Sequence, residues 1–243
     1  MFGLTLLAGL AGPTQAAETP AAIPPATQPA EAAAKGLPHI TIDRQAGTID
    51  IEATVAVRNV EWLELLLCST NTREYESLLV TKAKPSHVHL ALLLLGQQPG
   101  SPMLWLYEGE KLKVVPARGP KVRVTLRYEK EGKTVEIPAH QWLIDQKTKK
   151  PPDESPWIFA GSRFDKKEDR EIFQADVFGS LISLVNFGDD VLVLRSQLKN
   201  YSGEFPWAPN NAEIPPAGTK VTVRLQPLDP PSTQPTTTQP AQP

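Results

Sequence analysis

Residues 61–102 read EWLELLLCSTNTREYESLLVTKAKPSHVHLALLLLGQQPGSP, and this stretch decides how the chain is built. Trp62 to Cys68 is an almost unbroken apolar run, which suits a strand covered on both faces. Asn71 to Arg73 turns the chain, and Glu74 to Thr81 reads as a further strand. Pro85 to Leu95 reads as a helix, because Pro85 fits the first helical position and Gly96 the C-cap. The segment is apolar nearly all round, so the helix is expected to be buried.

Strand patterns surround this core. HITID (39–43) and TIDIEATVAV (48–57) alternate on either side of a turn, which predicts a hairpin. KVRVTLRYE (121–129) alternates cleanly, and Glu131-Gly132 folds it back onto Thr134 to Ile137. His140 to Asp145 extends the sheet. The lysines and prolines of 146–156 mark a loop and a candidate lobe boundary. WIFAGS (157–162), EIFQAD (171–176) and LISLVNF (181–187) suggest a meander, Asp189 to Leu194 a short helix, and KVTVRL (220–225) a closing strand. The fold class expected is β-rich α+β, with antiparallel sheets packed around one buried helix at about 85–95.

The ends bound the domain. Phe2 to Ala11 is an uncharged apolar run of signal-peptide length, too short to span a bilayer, although no Lys or Arg precedes it. Thr14 and Ala16 supply small residues for cleavage, so 1–16 is expected to be a signal peptide and the protein to be exported to the periplasm or cell envelope. Residues 17–35 form an Ala/Pro-rich linker, and 227–243 a disordered Pro/Thr/Gln tail without the large apolar side chains that folding needs. One domain, 36–226, remains. A chain of that length buries roughly 70% of its unfolded surface and needs no disulfide. Cys68 is the only cysteine in any case, and a net charge of −2 gives no electrostatic case for nucleic acid. No mature segment approaches the ~20 apolar residues of a membrane span.

The order WLELLLC, REYESLLVTKAKPSHVHLALLLLG, PGSP, PWIFAGSRF, QADVFGSLISLVNF and IPPAGTKVTV resembles the YdjY-type domain family, exported bacterial domains abundant in planctomycetes. The likeness covers roughly Ile40 to Val223. It implies an envelope location and no set of catalytic residues. Some members are described as ferredoxin-like, but an iron–sulfur cluster needs about four cysteine ligands, and this chain has one.

Six residues stand out as candidates for binding. Glu74 and Glu76, two apart on the expected strand, share a face and could divide acid and base roles. A structural ion pair with Lys82, Lys84 or His87 is the plainer reading. His87 and His89 would share a metal on a strand, but a helix turns them about 200° apart, so neither a metal site nor another cofactor is expected. Trp207, in FPWAPNN, is expected to be exposed and available for stacking. Cys68 lacks a sequence-adjacent base and reads as a small apolar core residue. Gly161-Ser162 lacks the G-x-S-x-G elbow, and no phosphate-binding glycine loop occurs.

No catalytic residue is therefore assigned. The expectation is an exported, non-enzymatic envelope module binding a protein, peptide or glycan. The alternatives are an envelope hydrolase using Glu74 and Glu76 with His87 or His89, and an electron-transfer accessory without its own cluster.

Overall fold

The computed structural model describes residues 36–109, 111–194 and 206–231. The expected signal peptide and linker, and the tail beyond 231, lie outside the described residues. The tail's first residues are held: the last strand, Lys220–Pro227, includes Pro227, the amide of Lys121 donates to Asp229 Oδ2 at 2.6 Å, and Gln97 Nε2 donates to the Asp229 carbonyl at 3.3 Å.

Eight strands close a barrel. They are β2 (Thr48–Val55), β3 (Leu65–Ser69), β4 (Ser77–Thr81), β7 (Lys121–Lys130), β10 (Trp157–Phe159), β13 (Ser180–Ser183), β14 (Leu192–Leu194) and β16 (Lys220–Pro227). Around the ring the order is β2-β16-β7-β10-β14-β13-β3-β4, and β4 returns to β2. Closure removes the exposed sheet edges that invite aggregation. β1 (Ile40–Asp43) and β8 (Lys133–Pro138) hang outside it. Each shares one edge of a long barrel strand with another partner: β1 takes Thr48 to Ile51 of β2, and β4 takes Thr54 and Val55. The β7–β8 turn has Glu131 at φ 54° and Gly132 at φ 73°, the mirror-image turn expected of a tight hairpin.

The expected all-antiparallel pairing is corrected. β3 runs parallel to β4, and β13 parallel to β14. Asp189 to Leu194 is not helical, since β14 occupies its end. Parallel neighbours arise where the chain doubles back through the short crossovers 70–76 and 184–191, and neither strand's own pattern records that.

Patterning explains the rest. β2, β7 and β16 alternate, with Ile49, Ile51, Val124, Leu126 and Val223 buried and Asp50, Arg127 and Arg224 directed outward. Arg224 clamps Asp50 through Nε and Nη2 at 2.7 and 2.8 Å, and Arg127 bridges Asp50 at 3.5 Å and Glu136 at 3.2 Å. Such exposed networks stabilise modestly. β3, β10, β13 and β14 are buried on both faces instead, with Ser69 alone partly exposed. β10 pairs with β7 on one side and β14 on the other, and loop 146–156 leads into it from Asp145, which pairs outside the barrel with Trp207.

The helix, α1 (Pro85–Leu94), begins at Pro85 as expected. It ends in a Schellman pair: Gly96 N–H donates to the Leu93 carbonyl and Gln97 N–H to that of Leu92. Only Pro85, Val88, Ala91 and Leu92 are buried, so it is a half-buried cover and not the core around which sheets wrap. It packs on β1, β13 and a second short helix, α2 (Gln174–Phe178). Among the described residues no helix is long and apolar enough to cross a membrane.

Two hairpins complete the fold. One is β11 (Phe164–Lys167) with β12 (Arg170–Phe173). The other is a ribbon of β5 (Leu104–Glu108) with β6 (Lys111–Val115), unanticipated from the sequence. A last pair joins β9 (Leu143–Asp145) to β15 (Trp207–Pro209).

Candidate functional site

The two parallel crossovers meet at one polar cluster. Leu65 pairs with Ser77, so Glu64 enters β3 directly beside Glu76, and the Glu64 amide donates to the Glu76 carbonyl at 3.1 Å. The crossover between β13 and β14 supplies Asp189 and Asp190. Glu64, Glu76, Asp189 and Asp190 are only 9, 6, 5 and 0% exposed. Arg73 lies among them. Its guanidinium sits 3.9 Å above the Phe187 ring, Nη2 donates to Ser180 Oγ, and Nε lies 3.6 Å from Glu76 Oε1.

One guanidinium cannot balance four buried carboxylates, and unpaired charge in a protein interior is costly. Protons supply the difference. Burial, reinforced by neighbouring Glu76, pushes Glu64 up to about 7, while Arg73 pulls it back. Burial and the adjacent Asp189 push Asp190 up to about 7, against amide donation from Phe187 and Gly188 to its Oδ2. Glu76 and Asp189 are raised by burial too, with Arg73 opposing. All four acids hold protons more tightly folded than unfolded. Stability from these groups is therefore complete at low pH and is lost as pH rises through about 7. Among the described residues no group of three or more His, Cys, Asp or Glu is placed to hold a metal ion.

Sequence reasoning named Glu76 but missed Glu64, Arg73, Asp189 and Asp190. An acid or arginine inside an apolar run (WLELLL, NFGDDVLVL) was the available signal. The expected Glu74–Glu76 strand face is corrected, because these residues form a 3-10 turn and β4 starts at Ser77. Glu74 turns back to accept the amides of Asn71 and Thr72, the latter at 2.9 Å. That capping locks the turn and leaves Glu76 alone facing the interior.

The imidazoles have different neighbours. His89 lies edge-on to Phe159 and Phe173, with ring centroids 5.2 and 5.3 Å away. Burial lowers its pKa, opposed by a hydrogen bond with the Gly161 backbone. His87 sits two residues earlier on the helix, and its Nδ1, like that of His89, is buried without a hydrogen-bond partner. Lys84 is the exposed N-cap residue, and its carbonyl accepts the amides of His87 and Val88. Cys68 is a free, fully buried thiol whose pKa burial raises. Trp207 is corrected: it is buried in β15, and its Nε1 donates to the Leu184 carbonyl at 3.2 Å. Its proline-rich neighbours marked a loop, but pairing with β9 draws the indole inward.

His89 gives a testable pH effect of the opposite sign. A depressed histidine pKa means that stability is present above the ordinary value of 6.5 and is lost as pH falls below it. His89→Leu is expected to remove that acid-side loss and to change stability at pH 7.5 by no more than about 1.5 kcal/mol. Urea melts at pH 5 and 7.5 measure both.

The open concavity lies elsewhere, on the alternating wall of the barrel. It is a groove of about 820 Å³ running over β4, β2, β16 and β7. Register sets its rows: Val80–Thr54–Lys220 lie side by side, as do Glu52–Thr222–Arg127. Lys82 and Glu129 flank them. His39 closes one edge, held at φ 64° by Nδ1 contact with Glu52 Oε2 at 2.8 Å and by its carbonyl accepting the Glu52 amide at 3.0 Å. A non-glycine residue in the left-handed region, pinned at both backbone and side chain, is a preorganised edge.

No curated protein and no solved structure matches the chain. The family model of the YdjY domain matches residues 40–226, nearly the whole of the described fold from β1 to β16, and the chain belongs to the YdjY domain family.

Proposed function

We propose that the protein is an exported cell-envelope module that binds a partner protein, peptide or glycan without transforming it. The observation that carries this reading is the separation of chemistry from access. The acids with perturbed protonation are buried around Arg73, and His89 is packed between phenyl rings. A hydrolase built on Glu76 and an imidazole needs both at one open cleft, so this arrangement favours binding. The accessible concavity presents threonines between opposite charges, a surface suited to hydrogen bonding with a polar ligand. The apolar Phe2 to Ala11 segment supports export.

A photo-crosslinking residue at Thr222, inside the groove, is expected to trap a specific envelope component, while one at Lys166 on β11 is not. Lys82→Glu with Lys220→Glu is expected to cut the trapped amount at least about tenfold, the scale of a lost charge-pair contact. Equal trapping at both positions would end the groove assignment. Fusing residues 1–35 to a reporter that is active only outside the cytoplasm tests export, and an inactive fusion would refute it.

A further inference from the structure

The acid cluster lies where the barrel is least regular. β13 pairs with β3 through register shifts between Ser180 and Ile182 and again before Ser183, and only two residue pairs join β13 to β14. Ladder hydrogen bonds alone hold this seam poorly. Side chains fasten it: Arg73, from the first crossover, reaches Ser180 and covers Phe187 of the second. Asp189 Oδ1 and Asp190 Oδ1 are buried there outside normal hydrogen-bond geometry, eased by the nearby Ser180 and Ser183 hydroxyls. Such oxygens tolerate burial as neutral acids far better than as anions.

The second crossover is also a seat. Gly188 lies so close to the β5–β6 ribbon that a Cβ there would sit 2.9 Å from the Trp105 ring and 3.2 Å from the Met103 carbonyl. Among the described residues the two strands of the ribbon pair with each other and with no further strand, and they carry Leu104, Leu106 and Tyr107, the last 77% exposed. An isolated two-stranded ribbon is marginal in water and depends on what it rests on.

We propose that Arg73 and the four carboxyl groups around it form a proton-operated latch that fastens the two crossovers together and thereby seats the apolar β5–β6 ribbon. With protons on the cluster, Arg73 balances the remaining charge and the crossovers stay closed. As the protons leave, excess negative charge is trapped in the interior. Opening residues 70–76 and 184–190 to water relieves it, and Gly188 then no longer supports Trp105.

The other charged groups at the seam do not offset this. Arg163 acts on Asp189 but is itself paired with Asp165 at 3.3 Å. Glu74 is committed to the amides of Asn71 and Thr72, and Cys68 on β3 is a buried thiol held neutral. From α2, Asp176 accepts the Ser86 amide at 2.8 Å. The latch is independent of what occupies the groove, so either reading can fail without the other.

Hydrogen exchange on the full chain decides it. Between pH 5.5 and 8.5, after correction for intrinsic rates, exchange in 70–76, 103–108 and 184–190 is expected to rise by about tenfold or more, with β2, β7 and β16 unchanged. Glu64→Gln with Asp190→Asn, which keeps neutral groups of the same shape, is expected to abolish the rise. If that pair fails to fold, Glu64→Gln alone is expected to reduce the rise by about threefold or more. No rise in the wild-type segments, an equal rise in β2, β7 and β16, or an undiminished rise in a folded variant overturns the latch.

Discussion

Arg73→Met is expected to destabilise the protein by about 3–5 kcal/mol at pH 8, the cost of stripping a buried cluster of its cation. The side chain is replaced by one of similar length, so packing over Phe187 is largely kept and the loss reports charge. Glu64 titrates near 7 with Arg73 present, and removing the guanidinium raises it, Glu76 and Asp189 further. At pH 5.5 Glu64 and Asp190 are protonated, and the expected loss falls below about 2 kcal/mol. Adding Glu76→Gln should recover part of the pH 8 loss, because the nearest uncompensated carboxylate goes with its partner. Urea titrations followed by circular dichroism give all three numbers. A loss that is the same at both pH values would mean that Arg73 acts by packing alone.

Gly119→Ala is expected to cost at least about 3 kcal/mol and to lower the yield of folded protein. Gly119 has φ 151°, and a Cβ there would lie 2.0 Å from the Phe159 carbonyl oxygen and 3.2 Å from the Gly100 amide nitrogen. These are backbone atoms of a clamp, not the ends of flexible side chains. Gly100 N–H donates to the Phe159 carbonyl at 3.0 Å, Ser101 and Arg118 exchange two bonds at 2.9 Å, and Phe159 N–H donates to the Pro120 carbonyl at 2.9 Å. The clamp fixes β10, which carries Phe159 against His89 and links β7 to β14. A methyl group at 119 therefore forces either the barrel seam or the ribbon base to move. Gly109→Ala is the control: its Cβ meets nothing within 4 Å, so it carries the cost of φ 64° alone. Equal melting temperatures for the two variants would show that the clamp has room to relax.

Much of the architecture was legible in local patterns. The alternation of TIDIEATV and KVRVTLRYE identified strands with one wet face, and LLLC identified one with none. Pro85 and Gly96 bounded the helix within a residue. The candidate site was less legible. Glu76 stood out, and Arg73 lay three residues away, but Glu64 joins them only through the Leu65–Ser77 register and the aspartates come from more than 100 positions along the chain. Trp207 was misjudged because loop composition reports backbone habit and not which face of a later pairing a side chain takes.

By itself the sequence determined the family, the β-rich character, the strand faces and the helix ends, because each depends on neighbours within one or two turns of the chain. Only the tertiary structure decided that the strands close into a ring with two parallel steps and that four acids and one arginine meet there. Pairing partner and direction are set by which edges come together when the core is buried, and no short window of residues carries that information.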